Sequence, residues 1–319
     1  MRKHFVPISM VVGAVTAALL APPLCAAAQS NETSTGQPKA QAAAQKAPAK
    51  AGPIRRTPDG HPDIKGTWTK VGGGLNEANP PPTKLKAFGV LAEPTGFGQG
   101  GLFAGPGGEP VVRSPQYEPK PAPPRGIVDP PDRVLPYRPE ALAARLDWAT
   151  KMCCPAYSLE HLELSARCTP PAPWTSGGGV QILQRPGQVV LLFESNHNSR
   201  VIYTDGRPHQ GPSIRTFGGD SIGHWEGDTL VVETTNLTGL GHFGVGATIA
   251  PFSDVLRLME RFTVVSDKLI TYEMTYDDPK TFTRPVKSAG YFYPSDDREE
   301  LVEVTCHEGS YALRNVFGF

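Results

Sequence analysis

The stretch Trp225-Glu226-Gly227-Asp228-Thr229-Leu230-Val231-Val232-Glu233-Thr234-Thr235-Asn236, followed after a Gly-rich connection by Val255-Leu256-Arg257-Leu258-Met259-Glu260-Arg261-Phe262-Thr263-Val264-Val265, decides the fold. Successive side chains of a strand point to opposite faces. In the first run Leu230 and Val232 share a face with Thr234 and Asn236, while Thr229, Glu233 and Thr235 lie opposite. In the second, Leu256, Leu258, Phe262 and Val264 form one row. Gly227-Asp228 is a hairpin turn. Working outward, short runs rich in Val, Ile, Leu, Thr, Tyr and Phe recur from Gly179 onward with turn residues between them. They predict strands near 180–184, 188–194, 199–204, 213–217, 221–226, 229–236, 255–265, 268–277, 281–293 and 300–307. Short turns at Arg185-Pro186-Gly187, Asp205-Gly206, Gly227-Asp228 and Ser266-Asp267 join some of them. Sequential hairpins give an antiparallel meander, and closing it into a barrel removes the exposed edges. The expected fold class is therefore all-β, an antiparallel meander barrel.

Upstream of the strands the chain changes character. Arg2, Lys3 and His4 precede an uncharged, mostly apolar run from Ile8 to Leu20, and Ala26, Ala27 and Ala28 follow. This pattern predicts a signal peptide over residues 1–28, cleaved before Gln29, and a periplasmic or secreted location. The run is short for a membrane span and is closed by Pro22 and Pro23, so no membrane insertion is expected after cleavage. Pro22, Pro23 and Leu24 lack the small residue that precedes a lipidated cysteine, which counts against lipidation of Cys25. Residues 29–53, mostly Ala, Gln, Lys, Ser and Pro without aromatics, predict a disordered linker. Residues 54–138 hold much of the Pro and Gly and predict an extended segment wrapping the barrel, pinned by Ile64, Trp68 and Val71. Residues 139–319 then form a capping helix plus the barrel. The helix spans 139–151, with Pro139 at its first position and Leu142, Leu146 and Ala149 on one stripe.

Lys plus Arg and Asp plus Glu both number 31, so the formal net charge is zero. Neither nucleic acid nor an anionic membrane finds an electrostatic footprint here. Cleavage leaves Cys153, Cys154, Cys168 and Cys306, an even number in an oxidising compartment. Either one of the adjacent Cys153 and Cys154 bridges to Cys168 or Cys306, or a single short-loop bridge forms beside buried thiols. There is no CxxC, GxSxG, Walker loop or strand-to-helix GxGxxG, so no cofactor is expected. His197, His209, His224, His242 and His307 with Glu194, Glu260 and Glu308 offer metal donors, but no compact ligand motif, and no metal is expected.

Candidate chemistry starts at Glu260, the one carboxylate in the apolar row of its strand. Arg257 and Arg261 fall on the other face. Inside a barrel, desolvation would raise its pKa and suit it to acid or base work. The polar stretch from Glu194 to Asp228 and the Cys306-His307-Glu308 end supply partners. The catalytic candidates are Glu260, His197, His209 and His307. Arg200, Arg207 and Arg215 are candidate stabilisers of a developing oxyanion, and Trp225, Phe262, Tyr272 and Phe243 are candidate walls. Residues 239–251, with His242 and several glycines, form a connection or a mobile loop over the mouth.

The strings Arg56-Thr57-Pro58-Asp59-Gly60-His61-Pro62-Asp63, Trp225 to Val232 and Cys306-His307-Glu308-Gly309, with Glu260-Arg261-Phe262 and Tyr272-Glu273 between them, resemble a family of uncharacterised secreted bacterial proteins. That resemblance implies membership and no catalytic residues. The hairpin pattern also resembles lipocalin-like barrels, which implies a cup around a small molecule. Two functions follow. One is a periplasmic or secreted barrel enzyme acting on a small, mainly apolar molecule by cofactor-independent acid/base chemistry, as a lyase, isomerase or hydrolase. The other is a non-catalytic small-molecule binding protein. An interior lined only by Leu, Val and Phe favours the binder, and Glu260 within about 4–6 Å of a histidine or arginine favours the enzyme. The sequence leaves the oligomeric state open.

Overall fold

The structure, a computed structural model, describes residues 53–75, 77, 121–151, 157–162, 179–194, 198–243, 250–295 and 301. The expected signal peptide, the expected linker up to residue 52, Cys153, Cys154, Cys168, Cys306, His197, His307, nearly all of the expected strand near 300–307 and most of the Pro/Gly-rich segment lie outside these residues.

The chain forms strands β1 (Gly66–Gly72), β2 (Gly126–Asp129), β3 (Gly179–Arg185), β4 (Gln188–Phe193), β5 (Ser199–Tyr203), β6 (Asp220–Glu226) and β7 (Thr229–Thr235). These are followed by β8 (His242–Phe243), β9 (Ala250–Pro251), β10 (Arg257–Ser266), β11 (Leu269–Asp277) and β12 (Val286–Pro294). Helix α1 spans Pro139–Lys151. Nine strands close a barrel in the order β1-β3-β4-β5-β6-β7-β10-β11-β12, with β12 returning to β1 from Trp68↔Pro294 to Gly72↔Gly290. β2 adds to β12 beyond that seam, at Lys287–Ala289. β10 and β11 show strict alternation of buried and less buried residues, as expected of strands with one core face.

Three features depart from the expected meander. The barrel is mixed, because β5 and β6 run parallel through Ile202↔Ser221 and Tyr203↔Ile222. A parallel pair needs a crossover rather than a tight hairpin, and residues 204–219 supply it. Within that crossover the predicted strand 213–217 is irregular, with an isolated bridge to the neighbouring chain at Thr216, whose N–H donates to Asn236 O. Gly219 ends the crossover at φ +70°, where a Cβ would stand 2.5 Å from Thr235 O, so only glycine brings the chain so close to β7. The third departure is β1, a full barrel strand drawn from the segment expected to be extended chain. It sends Trp68, 3 % exposed, into the core.

Both ends of the barrel are filled. At one, residues 53–65 lie across the strand ends. Ile64 N–H donates to Gln184 Oε1 (3.0 Å), Gln184 Nε2 to Pro62 O (3.0 Å) and Trp68 Nε1 to Ile64 O (2.9 Å). His61 stacks on Trp225 with ring centroids 5.3 Å apart, and Arg56 pairs with Asp228 in the β6–β7 turn at 2.7 Å. Both partners of that pair are well exposed, so Arg56→Ala is expected to change stability by no more than about 0.5–1 kcal/mol in urea unfolding. At the other end Phe243 packs against Phe252, Tyr276 and Phe282, with centroids 5.2–5.8 Å apart. Tyr137 packs beside Phe282 with the rings tilted and their centroids 5.1 Å apart.

Helix α1 reaches this end through the β8–β9 ribbon, where Trp148 meets His242 at 5.5 Å. Its buried residues are Arg145 and Ala149, and Leu146 is exposed, unlike the expected Leu142/Leu146/Ala149 stripe. Arg145 is drawn inward because it pairs with the buried Glu77 at 2.5 Å and lies over the Tyr137 ring at 5.0 Å.

Candidate functional site

Alternation places Arg200 of β5, Ser221 of β6, Thr234 of β7 and Glu260 of β10 on the inward faces of four successive barrel strands. All are buried, Glu260 at 1 % exposure. Leu258, Phe262 and Val264 flank Glu260 on its own strand, as the row predicts. Arg200 answers the carboxylate with a fork. Its Nη1 donates to Glu260 Oε1 at 2.9 Å and its Nη2 to Glu260 Oε2. Nη2 also donates to Thr234 Oγ1 (2.7 Å) and Nε to Ser221 Oγ (3.0 Å), and the two hydroxyls share a hydrogen bond of 2.9 Å. Tyr272 of β11 donates its hydroxyl to Glu260 Oε1 at 2.8 Å. Bidentate, charge-assisted contacts of this kind are the strong class of hydrogen bond.

The surroundings fix protonation states. Burial, aided by the nearby Glu260 charge, pushes the Tyr272 hydroxyl well above its usual range, so Tyr272 remains a donor. Glu260 holds the Arg200 guanidinium in its charged form against the cost of burial. Lys70, on the inward face of β1, carries its Nζ 4.9 Å from the centre of the Tyr272 ring. Desolvation lowers its pKa to about 8; Glu260 opposes this and Arg200 adds to it.

Four of the sequence-derived site residues thus meet: Glu260, Arg200 and Tyr272 in the network, with Phe262 packed on Tyr272 at 4.9 Å. The others are elsewhere. His209 lies on the crossover with Nδ1 2.8 Å from Asp220 and Nε2 4.0 Å from Glu233. Arg207 is outside the barrel, forked onto Asp205 and stacked on Tyr203 at 3.7 Å. Arg215 ties the crossover to Leu237 O (3.0 Å) and to Asp254 O. Trp225 stacks on His61 at the end covered by residues 53–65, and Phe243 belongs to the aromatic cluster at the other. His197 and His307 fall outside the described residues. Ser221 and Lys70 were missed. Ser221 was hidden in a polar stretch read for its charged groups, and Lys70 sits on the strand that was not foreseen.

Arg257 and Arg261, read as outward, pair outside with Glu233 (2.5 Å) and Glu226 (2.8 Å). Among the described residues no three His, Cys, Asp or Glu side chains converge as metal ligands.

The network does not end inside the wall. Over the β5–β6 seam the crossover leaves a cleft of about 610 Å³, lined among others by Arg200, Gln210, Arg215, Gly218, Asp220 and Ser221. Two network residues, both buried, are therefore also among those that border this space. Asp220 on its wall accepts from His209 Nδ1 and, at 2.9 Å, from Gln210 N–H. The fold and site define a closed, mixed nine-stranded barrel built around a buried Arg–Glu pair and bordered by a cleft over the β5–β6 seam. A scan of protein-family models and searches of curated proteins and of solved structures found no match to the chain, so no family is assigned and the lipocalin-like resemblance stands at the level of a closed barrel.

Proposed function

We propose that this chain is an exported small-molecule binding protein that seats a small polar ligand in the cleft over the β5–β6 seam. The observation that carries the reading is the double engagement of Arg200 and Ser221, which are locked to Glu260 and Thr234 inside the barrel while lining the cleft. Because β5 and β6 are fixed from inside by these bonds, the wall that a ligand meets is pre-organised and binding incurs little ordering cost. The cleft volume falls within the range of small-molecule sites, and Gln210, Arg215 and Asp220 among its lining residues suit a ligand with hydrogen-bonding groups. The positive start, apolar run and Ala26-Ala27-Ala28 support export.

Acid–base catalysis by Glu260 is the second reading, favoured by the 2.9 Å contact between Arg200 and Glu260. It ranks below binding because both carboxylate oxygens are already engaged by Arg200 and Tyr272, whereas a general base must reach the substrate's proton.

Gly218 gives the cleanest test, since it lines the cleft and an added Cβ would find nothing within 4 Å. Native mass spectrometry of the purified protein is expected to show a bound small molecule. Gly218→Trp is expected to lose it, or to weaken it at least tenfold, with an unchanged melting temperature. A ligand retained at full strength by Gly218→Trp, or no bound mass on the wild type, overturns the assignment to this cleft.

A further inference from the structure

The β5–β6 seam is closed by only two residue pairs, Ile202↔Ser221 and Tyr203↔Ile222, whereas β5 meets β4 over five, from Gln188↔Tyr203 to Leu192↔Ser199. The phase of the β4–β5 ladder fixes which way the β5 backbone points. Phe193 N–H donates to Asn198 O and Thr204 N–H to Gly187 O, both at 2.9 Å. Hydrogen-bonded and non-hydrogen-bonded pairs alternate along an antiparallel ladder. Asn198, Arg200 and Ile202 therefore turn their backbone groups to β4, while Ser199, Val201 and Tyr203 turn theirs to the opposite edge. Tyr203 meets β6 there. Ser199 and Val201 lie before the first pair of that short ladder, and among the described residues no strand pairs with the Ser199 N–H and C=O or the Val201 N–H.

The cleft lies along this unpaired edge, lined by Ser199 and Val201 together with Thr216, Phe217 and Gly218 of the crossover. The crossover is held to the chain beyond β7 instead of to β5, since Thr216 N–H donates to Asn236 O and Thr216 O accepts from Thr238 N–H, both at 3.0 Å. An unpaired strand edge is a template for a further strand, and recognition of that kind selects main-chain N–H and C=O groups. At about 3.3 Å per residue the edge from Asn198 to Val201 runs for about 10 Å, the length of about three or four extended residues. Arg215 also lines the cleft, with Nη1 fixed by Leu237 O and Asp254 O. The Asp254 carboxylate is 3.9 Å from Nη2 and is itself paired with Lys280 at 2.7 Å. The lining thus keeps a positive charge suited to the carboxylate end of a free peptide. Asp220 on the same lining already accepts from His209 and Gln210.

We propose, resting on the cleft as the ligand site, that the ligand is a short peptide that lies extended along Ser199–Val201 and adds a strand to the free edge of β5. The test is affinity selection on the purified full-length protein from a pool of random tetrapeptides with free termini, the retained species being identified by mass spectrometry. The wild type is expected to enrich tetrapeptides about tenfold over Gly218→Trp, and a pool N-methylated at its peptide nitrogens is expected to be held about tenfold more weakly, for want of the donors that pair with the edge. In amide hydrogen exchange, Ser199 and Val201 are expected to exchange freely in the peptide-free protein and about tenfold more slowly with a selected tetrapeptide bound. Equal retention of the N-methylated pool overturns the proposal. So does slow exchange of both amides before peptide is added, because a segment of this chain then already occupies the edge. If the wild type instead retains a non-peptide molecule that Gly218→Trp loses, the cleft stands as the ligand site and the peptide assignment alone falls; if it retains neither, both fall.

Discussion

Glu260→Gln is expected to lower the unfolding free energy by about 3–5 kcal/mol, the cost of breaking a buried ion pair by removing one partner. Glutamine has nearly the same shape, so the loss is not a cavity effect. It arises because Arg200, 6 % exposed and unable to give up its proton, is left charged against a neutral amide. The measurement is a urea titration, in which the midpoint should fall with the slope unchanged. The double variant Arg200→Met with Glu260→Leu removes both charges and should recover most of the loss, since apolar replacement of a whole buried pair is often neutral or stabilising. A loss under about 1 kcal/mol for Glu260→Gln, with the double variant worse than the single, would mean that packing rather than charge pairing sets the energetics here.

How much of this was legible in the sequence depended on the range of the interactions. Strands β3 to β7, β10 and β11 were readable because alternation and turn chemistry are local. The Leu258/Glu260/Phe262/Val264 row placed Glu260 inside for the same reason. Its partner was not readable, because Arg200 lies 60 positions away and meets Glu260 only after β5, β6, β7 and β10 come together. Strand β12 was begun too early, at 281, because Asp278 instead organises a turn there. It accepts from the Thr281 and Ser253 hydroxyls at 2.7 and 2.6 Å. The parallel β5–β6 pair was missed because the crossover was read through its turn residues as further hairpins. β1 was missed for another reason. Gly66-Thr67-Trp68-Thr69-Lys70-Val71-Gly72 alternates well enough, but it is an isolated run in Pro- and Gly-rich chain, and its partners β3 and β12 lie more than a hundred residues on. Missing β1 also meant missing Lys70.

Stability should rise with pH between about 8 and 10, and Lys70→Met should abolish that rise. In the folded protein the Lys70 pKa is lowered from 10.5 to about 8. Below pH 8 both folded and unfolded chains carry the proton, so the folded state bears the full cost of a charge in a crowded interior. Between the two values the unfolded chain binds more protons than the folded one, and stability rises with pH wherever that holds. At about 1.4 kcal/mol per unit, discounted because Lys70 is only half-buried, the gain is about 2 kcal/mol. Tyr272 and Tyr276 act with the opposite sign. Burial raises both, so the stability they contribute is present below their unfolded value near 10 and is lost as pH climbs beyond it. The wild type should therefore pass through a maximum near pH 10 in urea titrations across the series. Lys70→Met keeps an unbranched apolar stem beside Gly73 and the Tyr272 ring and carries no proton. It should be more stable than the wild type at pH 7 by about 2 kcal/mol, with the difference closing toward pH 10. Parallel curves for the two proteins from pH 7 to 10 would show that the Lys70 amine titrates as it does in the unfolded chain, and the desolvation argument would fall with them.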